Sequence, residues 1–172
     1  MVRAIRLLVM VVGAGLLAHP LFGATLMVQD LSGPVEIQRG TDARWWAARR
    51  GTFINESDKV RTGTTGRANL LTDKAHRLQV HPKSTVQPTS LKGGEVHLGV
   101  VAGRVRAWVK KLSATEKFSM NTPTMVCAVR GTDFAVEVGE GSSRLEVYEG
   151  EVLAKELTTG AEVSVHPGQF TV

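Results

Sequence analysis

The sequence predicts an all-β protein, and three features indicate this class. Short segments rich in Val and Thr are separated by turn residues about every 8 to 12 residues, as in sandwiches, barrels and solenoids. Gly is abundant, at 18 residues, whereas aromatic residues make up only 5% of the chain. Beyond residue 24, no window of about ten residues shows a helical period. Together these features favour strands and turns over helices.

Alternation of apolar and polar residues supports individual strands. It is clearest in residues 144–148, where Leu145 and Val147 share one face and Glu146 lies on the other. The pattern also predicts strands at residues 59–62, 77–81, 125–129 and 134–138, and two separate strands at residues 95–98 and 104–109.

Weak internal repeats leave the type of β architecture open. Residues 63–82 and 131–150 share a length and a strand-turn-strand spacing, and residues 77–82 and 162–167 both end in Val-His-Pro. Such repeats suit the stacked units of a β-solenoid. A β-sandwich fits the same short strands, so both architectures stay open.

The first 24 residues have the features of a secretory signal peptide. Arg3 and Arg6 precede an uncharged apolar run at residues 7–18, and His19-Pro20 then breaks it. The alternative is a retained membrane anchor, but a run of about a dozen residues is short of the roughly 20 that span a bilayer. We therefore expect a leader at 1–24, one all-β domain at 25–172 and a periplasmic or secreted protein.

Charge argues against a nucleic-acid partner. Two of the 21 basic residues, Arg3 and Arg6, lie in the leader, so the rest of the chain has 19 basic and 16 acidic residues, a net charge of +3. Nucleic-acid binders usually show a much stronger basic stripe.

The residues that catalysis or metal binding would need do not form a recognisable set. The single Cys127 lies between apolar neighbours, which predicts a buried, inert thiol and excludes an internal disulfide. His76, His81, His97 and His166 show no ligand spacing. No nucleophile-base pair or phosphate loop is evident, so we expect no enzymatic activity, no metal and no cofactor.

The stretch from Asn121 to Phe134 is the most unusual part of the chain. Pro123 opens an apolar run, Cys127 lies within it, and Arg130-Gly131 interrupts its end. Arg130 is either the tip of a turn or a partly buried guanidinium satisfied by carbonyls and carboxylates, because an unpaired buried charge is costly. We expect the second, with Arg130 tying neighbouring strands together through its donors.

These motifs resemble the FecR domain, the periplasmic all-β module of FecR-type sigma-factor regulators. The resemblance includes Asp58-Lys59-Val60-Arg61-Thr62-Gly63, with Ser57 where the family usually has Gly, and the Thr-Pro and Arg-Gly-Thr-Asp-Phe segments. The residues that it marks as structural are Trp46, Asp58, Arg61, Thr62, Gly63, Thr122, Pro123, Arg130, Gly131, Thr132, Phe134, Gly150 and Gly168.

The resemblance implies a signalling or protein-binding role with a protein partner in the bacterial envelope. The sigma-binding segment and transmembrane helix of the full regulators have no counterpart before the domain, so we expect a free, stand-alone module. A structural or glycan-binding envelope protein is the alternative.

The predicted interaction surface is the patch formed by Arg44, Trp45, Arg49 and Arg50. Neighbouring residues of a strand point to opposite faces, so one of the two adjacent tryptophans should be buried. The family pattern indicates Trp46 as the buried one. Trp45 would then be exposed among arginines, as is common at interface centres, or would simply lie over its own hairpin with an arginine stacked on it.

Overall fold

The computed structural model describes residues 25–171, and the predicted leader at 1–24 lies outside them. This part of the chain contains strands and turns and no helix, so the all-β prediction is confirmed. No helix that is long and apolar enough to cross a membrane occurs between residues 25 and 171.

The described chain forms 16 strands. In chain order they are β1 (Leu26–Ser32), β2 (Val35–Gln38), β3 (Trp45–Ala47), β4 (Phe53–Ile54), β5 (Lys59–Thr62), β6 (Arg67–Thr72), β7 (Arg77–Val80), β8 (Thr85–Lys92), β9 (Glu95–Trp108), β10 (Lys117–Asn121), β11 (Met125–Val129), β12 (Asp133–Val138), β13 (Ser143–Glu149), β14 (Val152–Glu156), β15 (Glu162–Val165) and β16 (Phe170–Thr171).

The strands are arranged in two sheets that share β9. Sheet 1 has the order β4-β1-β6-β7-β9-β12-β13-β16, and all of its neighbours are antiparallel. Sheet 2 has the order β3-β2-β5-β8-β9-β10-β11-β14-β15, in which β9 and β10 are parallel and the other pairs are antiparallel. The antiparallel neighbours favour a sandwich over a solenoid.

One hydrophobic core is formed by inward side chains of both sheets. Phe134 of sheet 1 and Phe118 of sheet 2 are among its largest fully buried members. The edge of the Phe118 ring meets His76, which lies between two strands of sheet 1, with 5.6 Å between ring centroids. The sheets therefore pack face to face.

Strand β9 changes sheets along its length. Residues 95–102 pair with β8 in sheet 2, and residues 103–108 pair with β7 and β12 in sheet 1. Gly103 lies at the change, with φ of +75°. The two strands predicted at 95–98 and 104–109 are therefore one strand with a bend, because this glycine turns the backbone without ending the pairing.

One of the two predicted repeats corresponds to a repeated topology. Residues 63–82 and 131–150 each leave sheet 2, form a hairpin in sheet 1 and lead back to sheet 2. The two hairpins place β7 and β12 on either side of β9. The Val-His-Pro repeat is not structural, because β7 lies inside sheet 1 whereas β15 is the edge of sheet 2.

The prediction that the single thiol is buried is confirmed. Cys127 is fully buried on β11, and burial raises the pKa of its thiol to about 12. A thiol with such a pKa remains protonated at neutral pH and is a poor nucleophile.

We predict that Gly103→Ala lowers the free energy of unfolding by about 3 kcal/mol. A Cβ atom there would lie 2.3 Å from Ser84 Oγ and 2.5 Å from the Lys83 carbonyl oxygen, in a backbone conformation that already disfavours side chains. The matched control is Gly141→Ala, at a φ of +74° with no heavy atom within 4 Å, which should cost about 1 kcal/mol. Urea unfolding measures both, and equal losses would contradict the steric explanation.

Candidate interaction surface

The structure reverses the predicted exposure of the two adjacent tryptophans. Trp46 is 48% exposed, and Trp45 is half-buried because the Arg61 guanidinium lies over its ring, 4.0 Å from the centroid. Trp46 pairs with the buried Ile37 and so lies on the core side of β3. The prediction that Trp46 is buried is wrong because β3 is an edge strand, and no further strand covers the indole.

The arginines of the predicted patch do not converge on Trp45. The Arg44 guanidinium lies over Trp46, 5.0 Å from its centroid, and Arg50 pairs with Asp30 at 2.7 Å. Arg49 is exposed. The four side chains of the predicted patch therefore do not form one surface around Trp45.

Arg130 does not tie strands together. The segment 130–132 leads from β11 in sheet 2 to β12 in sheet 1, and these two strands do not pair with each other. Arg130 lies at this corner, is exposed, and makes no hydrogen bond or ion pair with the side chains of residues 25–171. The prediction of a paired guanidinium is wrong because a corner between sheets directs its side chain into solvent.

Asp58 holds a loop beside β5 together. Its carboxylate accepts hydrogen bonds from the Arg39 guanidinium at 2.6 Å and from the backbone N–H groups of Gly40 and Asn55 at 3.0 and 2.9 Å. The preceding Ser57 has a φ of +68°, a conformation that glycine adopts more easily. The family's usual glycine at this position thus has a backbone reason.

The other motif residues that the resemblance marked lie in strands or in the connections between them. The Thr62 hydroxyl donates to the His81 carbonyl at 2.5 Å, the Gly63 N–H donates to the Pro34 carbonyl at 2.9 Å, and the Thr122 hydroxyl accepts from the Met125 N–H at 3.0 Å. Four further positions are Arg61, which pairs with Glu36, the buried Phe134, and the exposed Pro123 and Gly168.

Gly131 and Gly150 allow two backbone segments to approach closely beside Thr132. A Cβ on Gly131 would lie 2.9 Å from Lys111 Cα, and a Cβ on Gly150 would lie 2.7 Å from the Gly131 carbonyl oxygen. Thr132 exchanges backbone hydrogen bonds with Val109, at 2.8 and 3.1 Å. Its side chain is buried, and Oγ1 has no hydrogen-bond partner among the described residues.

The outer face of sheet 1 carries a connected group of exposed and half-buried side chains. We call Arg77, Trp108, Arg106, Tyr148 and Arg104 the arginine–aromatic ladder. The Arg77 and Arg106 guanidinium groups lie 5.6 and 4.6 Å from the centroid of Trp108. Arg106 also lies 4.1 Å from the Tyr148 centroid, and Arg104 donates to the Tyr148 hydroxyl at 2.7 Å.

Carboxylates fix two of the three arginines of this ladder, Arg104 and Arg106. Arg106 donates two hydrogen bonds to Asp133, at 2.8 and 2.7 Å, in the bidentate arrangement that is strongest for this pair. Arg104 reaches Glu146 at 2.6 Å and Glu137 at 3.1 Å. The hydrogen bonds from Arg104, and then from Tyr148, lower the pKa of Glu146, so this carboxylate remains ionised at neutral pH.

A small residue beneath the ladder lets it lie flat. Ala135 faces outward in register with Arg106 and Glu146, yet it is only 1% exposed. Its short side chain leaves room for the guanidinium and carboxylate groups to close over it. The ladder is therefore packed and still partly exposed.

A cleft of about 480 Å³ opens at one end of the ladder. Trp108 and Thr132 line it, and its charged lining residues are Arg77, Lys110, Lys111, Arg130, Asp133 and Glu149. The Lys110 backbone N–H donates to His76 Nδ1 at 3.1 Å, and burial lowers the pKa of His76, so the imidazole is neutral at pH 7. Among residues 25–171, no group of three potential metal ligands is present.

The comparison with protein families places the cleft and the ladder in a known domain. A family described as FecR protein matches residues 58–153, more than half of the chain. The chain belongs to the FecR family. The match includes all of the ladder and the cleft lining, whereas the tryptophan patch at residues 44–50 lies outside it.

Solved structures resemble this FecR protein in fold. Two crystal structures of a putative anti-sigma factor from Parabacteroides distasonis ATCC 8503 superpose with a TM-score of 0.57 at 12% identity. The similarity covers 65% of this chain and 52% of that one, so the chain matches about half the length of those proteins. No curated protein matches the sequence.

Sequence reasoning did not find the ladder. Its members come from three strands that are far apart in the chain, and only Arg104, Arg106 and Trp108 are close in sequence. These three occupy alternate positions of β9, which places them on one face. That alternation was the one signal that could have indicated this surface.

We predict effects of different size for two arginines of the FecR protein. Arg106→Ala should lower the free energy of unfolding by about 1.5 kcal/mol, because it removes a bidentate pair and contacts with two rings. The exposed Arg130→Ala serves as the control and should change it by less than about 0.5 kcal/mol. Chemical denaturation measures both. A larger loss for Arg130→Ala would contradict its placement in solvent.

Proposed function

We propose that this FecR protein is a non-enzymatic signalling module of the bacterial envelope that binds a protein partner through the arginine–aromatic ladder. The observation that supports the proposal most is the ladder itself. Tyr148 is 41% exposed and lies between Arg104 and Arg106. Tyr, Trp and Arg are the residue types that contribute most binding energy at protein interfaces.

Pre-organisation makes this face suited to binding. An exposed arginine normally loses side-chain entropy when a partner immobilises it. Here Arg104 and Arg106 are already held by carboxylates and by aromatic contacts. Docking of a partner on the ladder therefore costs less side-chain entropy. The partner contacts the planar faces of rings and guanidinium groups.

The chemistry of the face favours recognition over catalysis. The carboxylates Asp133, Glu137 and Glu146 are all paired with arginines. A general acid or base works best when its pKa lies near the working pH. The pKa of the Glu146 carboxyl group is lowered, which moves it further from neutral pH.

Capture experiments with the full chain test this function. Tagged protein should retain a discrete partner from envelope extract of the source bacterium, and Tyr148→Ala should reduce that capture by at least about tenfold. Trp46→Ala is the matched control, because it removes a similarly exposed aromatic residue at the edge of the other sheet. Thermal denaturation confirms that both variants are folded.

Three results would contradict the proposal. The first is loss of capture by Trp46→Ala with no effect of Tyr148→Ala, which would move the interface to the sheet edge. The second is the absence of any partner above background. The third is co-sedimentation with purified peptidoglycan in the absence of a protein partner, which would support a glycan-binding protein instead.

The envelope location has a separate test. The charged start and the apolar run of residues 1–24 motivate export. We expect the mature protein to begin near Ala24 or Thr25, as determined by N-terminal sequencing of the protein purified from cells. Recovery of a product that starts at Met1 would overturn the cleavage, and its presence in the membrane fraction would indicate an anchor.

A further inference from the structure

Some lysine and arginine side chains of the described chain form ion pairs with carboxylates, and others do not. Those at positions 25–171 that have no carboxylate partner are Arg49, Lys59, Arg67, Arg77, Lys83, Lys110, Lys111 and Arg130. Half of them line the cleft at the end of the ladder: Arg77, Lys110, Lys111 and Arg130.

The acidic groups near the cleft neutralise these four cations only in part. Asp133 lines the cleft, but Arg106 already takes both of its oxygens. Glu149 lines the cleft as an exposed side chain, and Glu151 lines a neighbouring cleft that shares Arg130. A concave site with several like charges concentrates its field and attracts counter-ions.

The backbone around the cationic residues is fixed. Thr132, next to the Arg130-Gly131 corner, exchanges two hydrogen bonds with Val109, next to the two lysines. The buried His76 accepts the N–H of Lys110. The lysine and arginine side chains therefore extend from backbone segments that hydrogen bonds hold in place on both sides of the cleft.

We propose that this cleft binds a phosphorylated small molecule through its phosphate group, which Lys110, Lys111 and Arg130 hold. A phosphate carries close to two negative charges and offers three acceptor oxygens, so it matches a cluster of several cations better than a carboxylate does. The volume of about 480 Å³ exceeds that of the phosphate group alone and lies within the usual range for small-ligand sites, leaving room for an organic group beside Trp108.

Trp108 provides the measurement. The protein contains three tryptophans, so Trp45→Phe with Trp46→Phe leaves Trp108 as the only indole. In this full-length background, glucose 1-phosphate should change the fluorescence saturably, and inorganic phosphate should compete. Vesicles of phosphatidylglycerol and of phosphatidylcholine form a second arm, which distinguishes a lipid phosphate from a soluble phosphate ester.

Charge-neutralising variants identify the site. Lys110→Gln with Lys111→Gln should weaken the binding of glucose 1-phosphate by at least about tenfold, since two charge-assisted contacts are lost. The matched control is Arg49→Gln with Lys59→Gln, which removes the same formal charge from unpaired cations outside the cleft and should change affinity less than about twofold. All four side chains are at least partly exposed, so both variants should fold.

Each outcome of the binding measurements either supports or overturns the phosphate site. Saturable binding of glucose 1-phosphate that is lost only in the cleft variant supports the site. A response to the phosphatidylglycerol vesicles alone would overturn the proposal, because a phosphodiester carries one negative charge and two free acceptor oxygens. The absence of a saturable response to either phosphate source would overturn it. Equal weakening in the cleft and control variants would also overturn it, because this result indicates non-specific attraction of anions to a basic surface. Neither result depends on the capture of a protein partner.

Discussion

The bend of β9 at Gly103 is the constraint on which the rest of the structure depends. This strand is the only described element that belongs to both sheets, and its two halves pair with β8 and β10 on one side of the bend and with β7 and β12 on the other. The bend aligns two sheets over one core. It also sends Arg104, Arg106 and Trp108 outward, where strands on both sides supply their partners.

The arginine–aromatic ladder and the cleft at its end both contain Trp108 of β9, but they differ in the balance of their charges. Along the ladder, Arg104 and Arg106 are matched by carboxylates, so that the field of this part is short-ranged and its geometry is fixed. At the corner between β11 and β12, the cations are unmatched. A balanced, pre-organised surface favours recognition by shape, whereas an unbalanced cleft favours recognition by charge.

Much of the architecture could be predicted from the sequence, because alternation with period two and turn residues report directly on strands and their faces. The repeat formed by residues 63–82 and 131–150 could be predicted for the same reason, because both segments have the same strand-turn-strand spacing. Exposure at sheet edges could not be predicted. Trp46 has the face of a core residue and yet is half exposed, since its burial depends on which strand lies beyond β3. Arg130 was misassigned because a local pattern does not distinguish a hairpin from a crossing between sheets.

The parallel pairing of β9 with β10 has a consequence for how the chain reaches this state. A parallel neighbour cannot be joined by a tight hairpin, so β10 must return to the start of β9 before their register can form. Because the other half of β9 needs β7 and β12, nucleation at this strand requires closure of several loops at once. Such a topology implies slow folding, with the amides of β9 among the last to exchange with solvent.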